Sequence, residues 1–365
     1  MCQAMCLNLA ARLTMDWFPS EERDLATTVA TMANVLGQMV FSLLPPLLVH
    51  TPEQLGLILL VQWVPGLVVA ALAWRFLQQR PPLPPSASAA LQWREAEAAA
   101  SSAKHHGAVG ASSLAAVQEM LHDSALLLRN PNFCLLASGF AVGTGTVWAV
   151  LILEGQLITP CGYSDRIAGT AGAALLGTGV ASAFAVGAVM EQTKAYLELQ
   201  RGVMAAAVVA TACVLAAATP SHALRLVAAY CLLGAALQPL MPLTLEHAAE
   251  MTFPVPADVS TSVLFILANT FSAFLVLGLT PLLAEPVSSQ CLSMFTPASA
   301  TVLACMACGL LLTLLVQKDY RRSSCEQQGD KRAASPVSPL LGPGGGGVVP
   351  PGSYGAVSVE PAAAP

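Results

Sequence analysis

Long apolar runs alternate with short polar turns over most of the chain. The runs are Asp24–Val49, Gln54–Phe76, Pro131–Gly155, Arg166–Val189, Gly202–Ala218, Leu224–Ala248, Val259–Ala284 and Pro297–Val316. Each has about the length that carries an α-helix across the hydrocarbon of a bilayer, roughly 17 to 25 residues. The pattern therefore predicts eight membrane-spanning helices and an all-α membrane protein. Met1–Met15 reads as a further run, cut to about half the needed length. It does not have the order of a signal peptide, because no basic residue precedes its apolar stretch and Arg12 follows it. The turn Asp16–Arg23 holds charges, a Trp and a Pro, and after Asp24 no charged side chain appears until His50. That turn predicts a polar cap from which the chain re-enters the bilayer.

Composition supports lipid as the solvent. Hydrophobic residues make up 55% of the chain and charged ones 10%, with a mean hydropathy of +0.64. An ordinary soluble domain carries about 25% charged residues, so this chain could not cover its surface in water. Let Asp16–Arg23 be cytoplasmic and each span reverse the side. Fourteen of the 16 Lys and Arg then fall on the cytoplasmic side, with only Arg166 and Arg225 opposite, as the positive-inside rule demands. The net charge of −5 is diffuse, and no basic stripe suggests nucleic acid. Most of the ten Cys lie inside apolar runs, where they pack as small hydrophobes. Cys305 and Cys308 belong to this class rather than to a metal site. Cys161 and Cys291 fall in two loops on the same side, within the reach of a bridge.

Four regions follow: a remnant of a first transporter half over 1–77, a linker over 78–130, a second half of six helices over 131–317, and a polar tail over 318–365. The linker opens on a Pro-rich exit. It closes on an amphipathic helix whose Leu114, Val117, Leu121 and Leu128 share one face, suited to the cytoplasmic membrane surface. His105 and His106 in it are read as solvated. The Gly/Pro-rich tail predicts disorder. A long linker before six spans is the layout of a major facilitator transporter, whose six-helix halves enclose a midplane site. The first half holds only about two and a half helices, so the N-terminal half is expected to be incomplete.

Several stretches carry a closer resemblance. "WFPSEERDLATTVATMANVLGQ…LLPPLLV", "GYSDRIAGTAGAALLGTGVASAFAVGAVMEQTKAY", "PLTLEHAAEMTFPVPADVSTSVLFILANTF" and "KDYRR" occur in order. Together they resemble the solute carrier 49 family, the relatives of the feline leukaemia virus subgroup C receptor, over roughly Met1–Arg322, with details nearest the family's orphan third branch. The resemblance implies a multi-pass transporter in the plasma membrane rather than the lysosomal membrane; the charge distribution places linker and tail in the cytoplasm. It implies as solute a choline- or ethanolamine-like amine or haem, and one lysosomal member is linked to a vitamin B6 compound.

Candidate site residues combine this resemblance with chemistry. Trp148, near the middle of its span, matches a position where choline-carrying relatives place an aromatic, and an indole face suits a quaternary ammonium; a packing role is the equal alternative. Asn269 falls where those relatives have a cavity Gln. Asn34 keeps the family's fifth-helix Asn, but the Gln that follows it in relatives is Val35 here, which weakens the choline implication. Gln156 joins them as a candidate substrate contact. Glu154, near the outer end of the same span, is a candidate coupling carboxylate, with snorkelling to the interface as the alternative. Glu246 and Glu250 lie four apart on one helical face, where like charges repel. They are therefore placed at the wet cytoplasmic end, as gating residues before substrate ligands. "GAVMEQTK" resembles the superfamily's Gly-x-x-x-Asp-Arg gate signature: Gly187 permits close packing, Glu191 stands for the Asp, Gln192 replaces the Arg and Lys194 is the remaining cation. "YGAV" at Tyr354 fits a tyrosine-type sorting pattern that recurs by chance.

No nucleophile–base set, phosphate loop or dinucleotide fingerprint appears, so the chain is read as neither an enzyme nor a cofactor-binding protein, and as holding no metal. Two functions stand: alternating-access transport of a small organic solute, or a transport-incompetent membrane scaffold or receptor-like partner.

Overall fold

The computed structural model describes residues 13–48, 54–76, 81–86, 88–91, 93–94, 97, 112–153, 156–157, 161–163, 165–218, 222–284 and 296–334. Glu154, His105, His106, Cys291 and Tyr354 lie outside the described residues. Among those described, the helices of the bundle run in the order α1 (Arg23–Leu48), α2 (Leu55–Phe76), α3 (Ser112–Arg129), α4 (Pro131–Ile152), α5 (Asp165–Thr193), α6 (Tyr196–Ala217), α7 (Ala223–Leu237), α8 (Leu240–Thr252), α9 (Ala257–Ala284), α10 (Pro297–Leu315) and α11 (Arg321–Ala334).

Local chemistry fixes the starts. Asn130 caps α4 by accepting from the N–H groups of Asn132 and Phe133 at 3.0 and 3.4 Å, with Pro131 as first helical residue. Thr296 and Pro297 repeat the arrangement at α10. The far end of α10 is capped by Arg201, whose guanidinium donates to the carbonyls of Leu314 and Val316 at 2.9 and 2.8 Å.

Among the described residues, seven elements are long and apolar enough to cross a membrane: α2, α4, α5, α6, the α7–α8 pair, α9 and α10. Helix α1, the eighth expected span, is 26 residues long. Thr27, Thr28 and Thr31 are fully buried against protein, and the hydroxyls of Thr28 and Thr31 return to the carbonyls of Asp24 and Thr27 within the helix. A helix so covered need not be apolar all round. The run Leu224–Ala248 is two helices, interrupted at Gln238–Pro239, where proline cannot continue the ladder. Helix α6 begins six residues before the expected Gly202, because Glu198 and Arg201 find partners in Lys318 and the end of α10.

In the bundle α4 packs between α9 and α10, and α5 packs on α7. Small residues set the spacing. A Cβ on Gly234 of α7 would overlap the Leu175 carbonyl of α5. Across the same seam Thr178 and Ser182 donate to the carbonyls of Cys231 and Ala235 at 2.9 and 2.7 Å. Close backbones joined by hydroxyls are how helices associate where lipid removes the hydrophobic drive. The small-residue run of α5 thus packs as its sequence suggests. By contrast α2 packs on α1 and leaves Trp63, Leu67, Val69 and Trp74 exposed, a surface suited to hydrocarbon.

In α3 Leu127 is buried and joins Phe133 and Leu136 of α4, while Leu121 and Leu128 are exposed. One further expectation changes. The tail is helical over Arg321–Ala334, and its Arg322 is only 3% exposed. The physical reason is charge pairing: this stretch carries the counter-ions of buried carboxylates. Cys161 is disulfide-bonded, while Cys305 and Cys308 are free.

Candidate functional site

One end of the bundle concentrates buried charge. Helix α1 enters it with Arg23 and Asp24, 2% and 1% exposed. Facing them is the turn between α5 and α6. Its Lys194 sits at φ +49°, a left-handed conformation that costs a non-glycine residue about 1–2 kcal/mol, and its N–H closes α5 on the Met190 carbonyl. The ammonium donates to Asp24 at 2.8 Å and to the Ser20 carbonyl at 3.1 Å. Tyr196, the first residue of α6, donates its hydroxyl to the same carboxylate at 3.2 Å. Asp24 thus accepts from both sides of one turn. Directly above, Gly187 of α5 lies so close to α1 that a Cβ there would be 2.6 Å from Thr28 Oγ1. The seam continues through Met32 and Val35 of α1 against Val180 and Ala183 of α5.

A second set of contacts comes from α8. Glu246 and Glu250 are not solvated, as their mutual repulsion implied, but 2% and 1% exposed. Their neutraliser is Arg322 from α11. Its Nη2 donates to Glu246 at 2.8 Å and its Nε to Glu250 at 3.1 Å. Burial alone would lower the Arg322 pKa; the Glu250 and Glu246 carboxylates outweigh burial and hold it well above its usual value. Ser323 adds its N–H and hydroxyl to Glu250 at 3.0 and 2.8 Å. Thr27 of α1 donates to Glu246 and lies 2.9 Å from the hydroxyl of Thr14. Arg23 donates to Glu326 of α11 at 3.1 Å and to Ser86 at 2.9 Å. Beneath this layer Tyr196 stacks on His247 at 6.4 Å, with Tyr320 edge-on to both. Gln200 bonds Thr244 and His247 at 3.2 and 2.6 Å.

Of the residues singled out from sequence, the structure gathers Gly187, Lys194, Glu246 and Glu250 into this cluster. Glu191 stays outside it: Lys194 pairs with Asp24, not with Glu191. Sequence reasoning does not reach Asp24, Thr27, Tyr196, Gln200, Arg322 or Ser323. The signal for Asp24 is an Arg-Asp pair at the head of an apolar run; nothing local marks Arg322.

Midway along the spans, Trp148 of α4 stacks on Phe265 of α9 with centroids 6.2 Å apart and an interplanar angle of 8°. Phe140 meets Phe265 edge-on at 6.1 Å. Asn269, one turn beyond, is exposed, and its amide donates to the Phe265 carbonyl at 2.8 Å. Trp148 is half-buried, so one region of the indole remains open. Asn34 is half-buried on α1, whereas Val35 is buried in the α1–α5 seam. Gln156 is exposed beyond the end of α4. A separate apolar cavity, walled by Val147, Leu151, Tyr230, Leu233 and Met306 among others, includes none of these residues and offers no charge.

The bundle thus holds a buried ionic cluster at one end and a Trp148–Phe265 stack at mid-depth. The family model of the Major Facilitator Superfamily matches residues 1–281, and the chain belongs to that superfamily. It is a multi-pass membrane protein. It is similar to solute carrier family 49 member A3 of Danio rerio, 27% identical over 336 residues, covering 89% of this chain and 66% of that protein. The counterpart in Xenopus tropicalis is 27% identical over 266 residues, covering 72% and 50%. The choline/ethanolamine transporter flvcr2a of Danio rerio is 23% identical over 352 residues, covering 93% and 69%. The chain thus spans between half and two thirds of the length of the first two relatives.

Proposed function

We propose that the chain moves a small organic cation of the choline or ethanolamine class by alternating access, and that the ionic cluster is its cytoplasmic gate in the closed state. The observation that carries the reading is the buried pairing of α1 with three other elements at one end: Asp24 with Lys194 and Tyr196, Thr27 with Glu246, Arg23 with Glu326. Opening that end requires these pairs to part together, which makes the cluster a two-state element rather than a set of surface bridges. The distribution of Lys and Arg supports placing this end in the cytoplasm. The solute contacts in this reading are Trp148 and Asn269, joined by Asn34 of α1 and by Gln156 beyond the end of α4. The open part of the indole would hold a quaternary ammonium, and the amide would orient a hydroxyl or amine. Two named choline/ethanolamine transporters among the similar proteins support this solute class.

The test is uptake and efflux of labelled choline and ethanolamine in cells expressing the chain, with Trp148→Ala beside it at matched surface level. A cation–π contact in a dry site contributes about 2 kcal/mol, so uptake at low solute concentration should fall on the order of tenfold or more. Transport that Trp148→Ala leaves intact removes the site assignment. No transport of either amine removes the solute class, and haem becomes the next candidate.

A further inference from the structure

The first turn of α11 lies across the ionic cluster, and a regulatory role for it rests on that cluster being the gate. Arg322 holds Glu246 and Glu250 of α8. One turn later Glu326 accepts from Arg23 of α1 at 3.1 Å and from Ser88 at 2.8 Å. Helix α11 is therefore a strap with one anchor on each side of the α1–α8 junction. Between the anchors sits Ser323, both of whose donors go to Glu250. Ser324 beside it is exposed and returns its hydroxyl to the Tyr320 carbonyl at 2.7 Å. Two arginines, Arg321 and Arg322, immediately precede the serine pair.

We propose that Ser323 is a phosphorylation site that controls this strap, acted on by a kinase that reads arginines just before its acceptor. In the step, the Ser323 hydroxyl oxygen bonds to the γ-phosphorus of a nucleoside triphosphate held by the kinase. The bond from that phosphorus to the β–γ bridging oxygen breaks, the hydroxyl proton passes to the kinase's base, and the nucleoside diphosphate departs. The closed strap is no substrate, because its hydroxyl is engaged by Glu250 and the Arg322 recognition element is buried. Once modified, Ser323 carries a charge of about −2 and cannot return beside two buried carboxylates. In the first turn of α11 the same phosphate favours the detached helix, since negative charge is stabilised at a helix N-terminus. Opening of the gate admits the kinase, and the phosphate then opposes closing.

Two thiols read the two events in inside-out vesicles treated with a membrane-impermeant maleimide. Native Cys325 reports the strap. Thr28→Cys reports the α1–α5 seam, where Thr28 is fully buried. Ser323→Glu should speed labelling at position 28 on the order of tenfold, with a smaller rise at Cys325 where burial is only partial. Ser324→Glu should match wild type. Purified wild type treated with ATP and a basophilic kinase first shown to modify Ser323 in a free peptide of residues 318–328 should gain phosphate at Ser323, and gain it faster with Glu246→Gln/Glu250→Gln, which frees Arg322. Should Ser323→Glu fail to accumulate, the phosphorylated wild type takes its place in the labelling. Unchanged Cys325 labelling, or phosphate confined to Ser324, overturns the proposal. Faster Cys325 labelling with an unchanged seam overturns the gate reading, and the regulatory role with it, while still locating the strap's contact.

Discussion

Arg322→Ala is expected to give the largest loss of stability of any single charge removal in this protein. The guanidinium is the shared partner of Glu246 and Glu250, and all three groups are at most 3% exposed. Removing it leaves two carboxylates one helical turn apart, held by Thr27 and Ser323 but repelled by each other and by Asp24. Taking one partner out of a buried pair costs about 3–5 kcal/mol, because the remaining charge is desolvated without compensation. The thermal midpoint of the detergent-purified protein should drop by several degrees. The sign of the effect is checked by rescue: adding Glu246→Gln and Glu250→Gln to Arg322→Ala should recover most of the loss, since neutral amides need no counter-ion. Arg322→Lys should recover less, because one ammonium cannot present the guanidinium's Nε and Nη2 to two carboxylates at once. A midpoint that stays at the wild-type value in Arg322→Ala would remove α11 from the cluster.

The same residues show where sequence reading succeeds and where it stops. Spans are legible because a bilayer demands a local property, some 20 apolar residues in a row, and the helices found differ from the runs mainly at their ends. The close packing at Gly187 and along the α5 small-residue stripe is legible for a similar reason: close approach needs small side chains at a fixed period. Buried charge is not a local property. Glu246 and Glu250 look mutually repulsive in sequence because the cation that reconciles them lies 76 positions from Glu246. Asp24 looks like the first residue of an apolar span, yet its partners are Lys194 and Tyr196, 170 and 172 positions away. The Gly/Pro content that signals disorder begins only after Ala334, so it carries no information about the fourteen helical residues before it. Trp148 stands out in sequence as a mid-span aromatic, but its stacking on Phe265 is visible only once α9 is placed beside α4.

The second large effect is steric. Gly234→Ala should destabilise the bundle severely, although it adds one methyl group in a helix, where alanine is normally preferred. The added Cβ would overlap the Leu175 carbonyl oxygen and lie 2.6 and 2.8 Å from Leu175 C and Cα. These are backbone atoms of α5, so no side chain can swing aside and the helices must separate. Separation also lengthens the hydroxyl contacts from Thr178 to Cys231 and from Ser182 to Ala235. Overpacking costs about 1–3 kcal/mol, and each interhelical hydrogen bond in a membrane about 0.6, so the sum reaches several kcal/mol. Gly202→Ala on α6 is the matched control, with nothing within 4 Å of its added Cβ; it should be neutral or stabilise by about 0.5–1 kcal/mol. Gly187→Ala should fall between them. Its clash is with the Thr28 hydroxyl, which can rotate away at the loss of its bond to the Asp24 carbonyl. The ranking Gly202, Gly187, Gly234 in thermal midpoint therefore separates side-chain from backbone crowding. A Gly234→Ala protein as stable as Gly202→Ala would mean that α5 and α7 do not approach as closely in the membrane as their carbonyl–glycine contact requires.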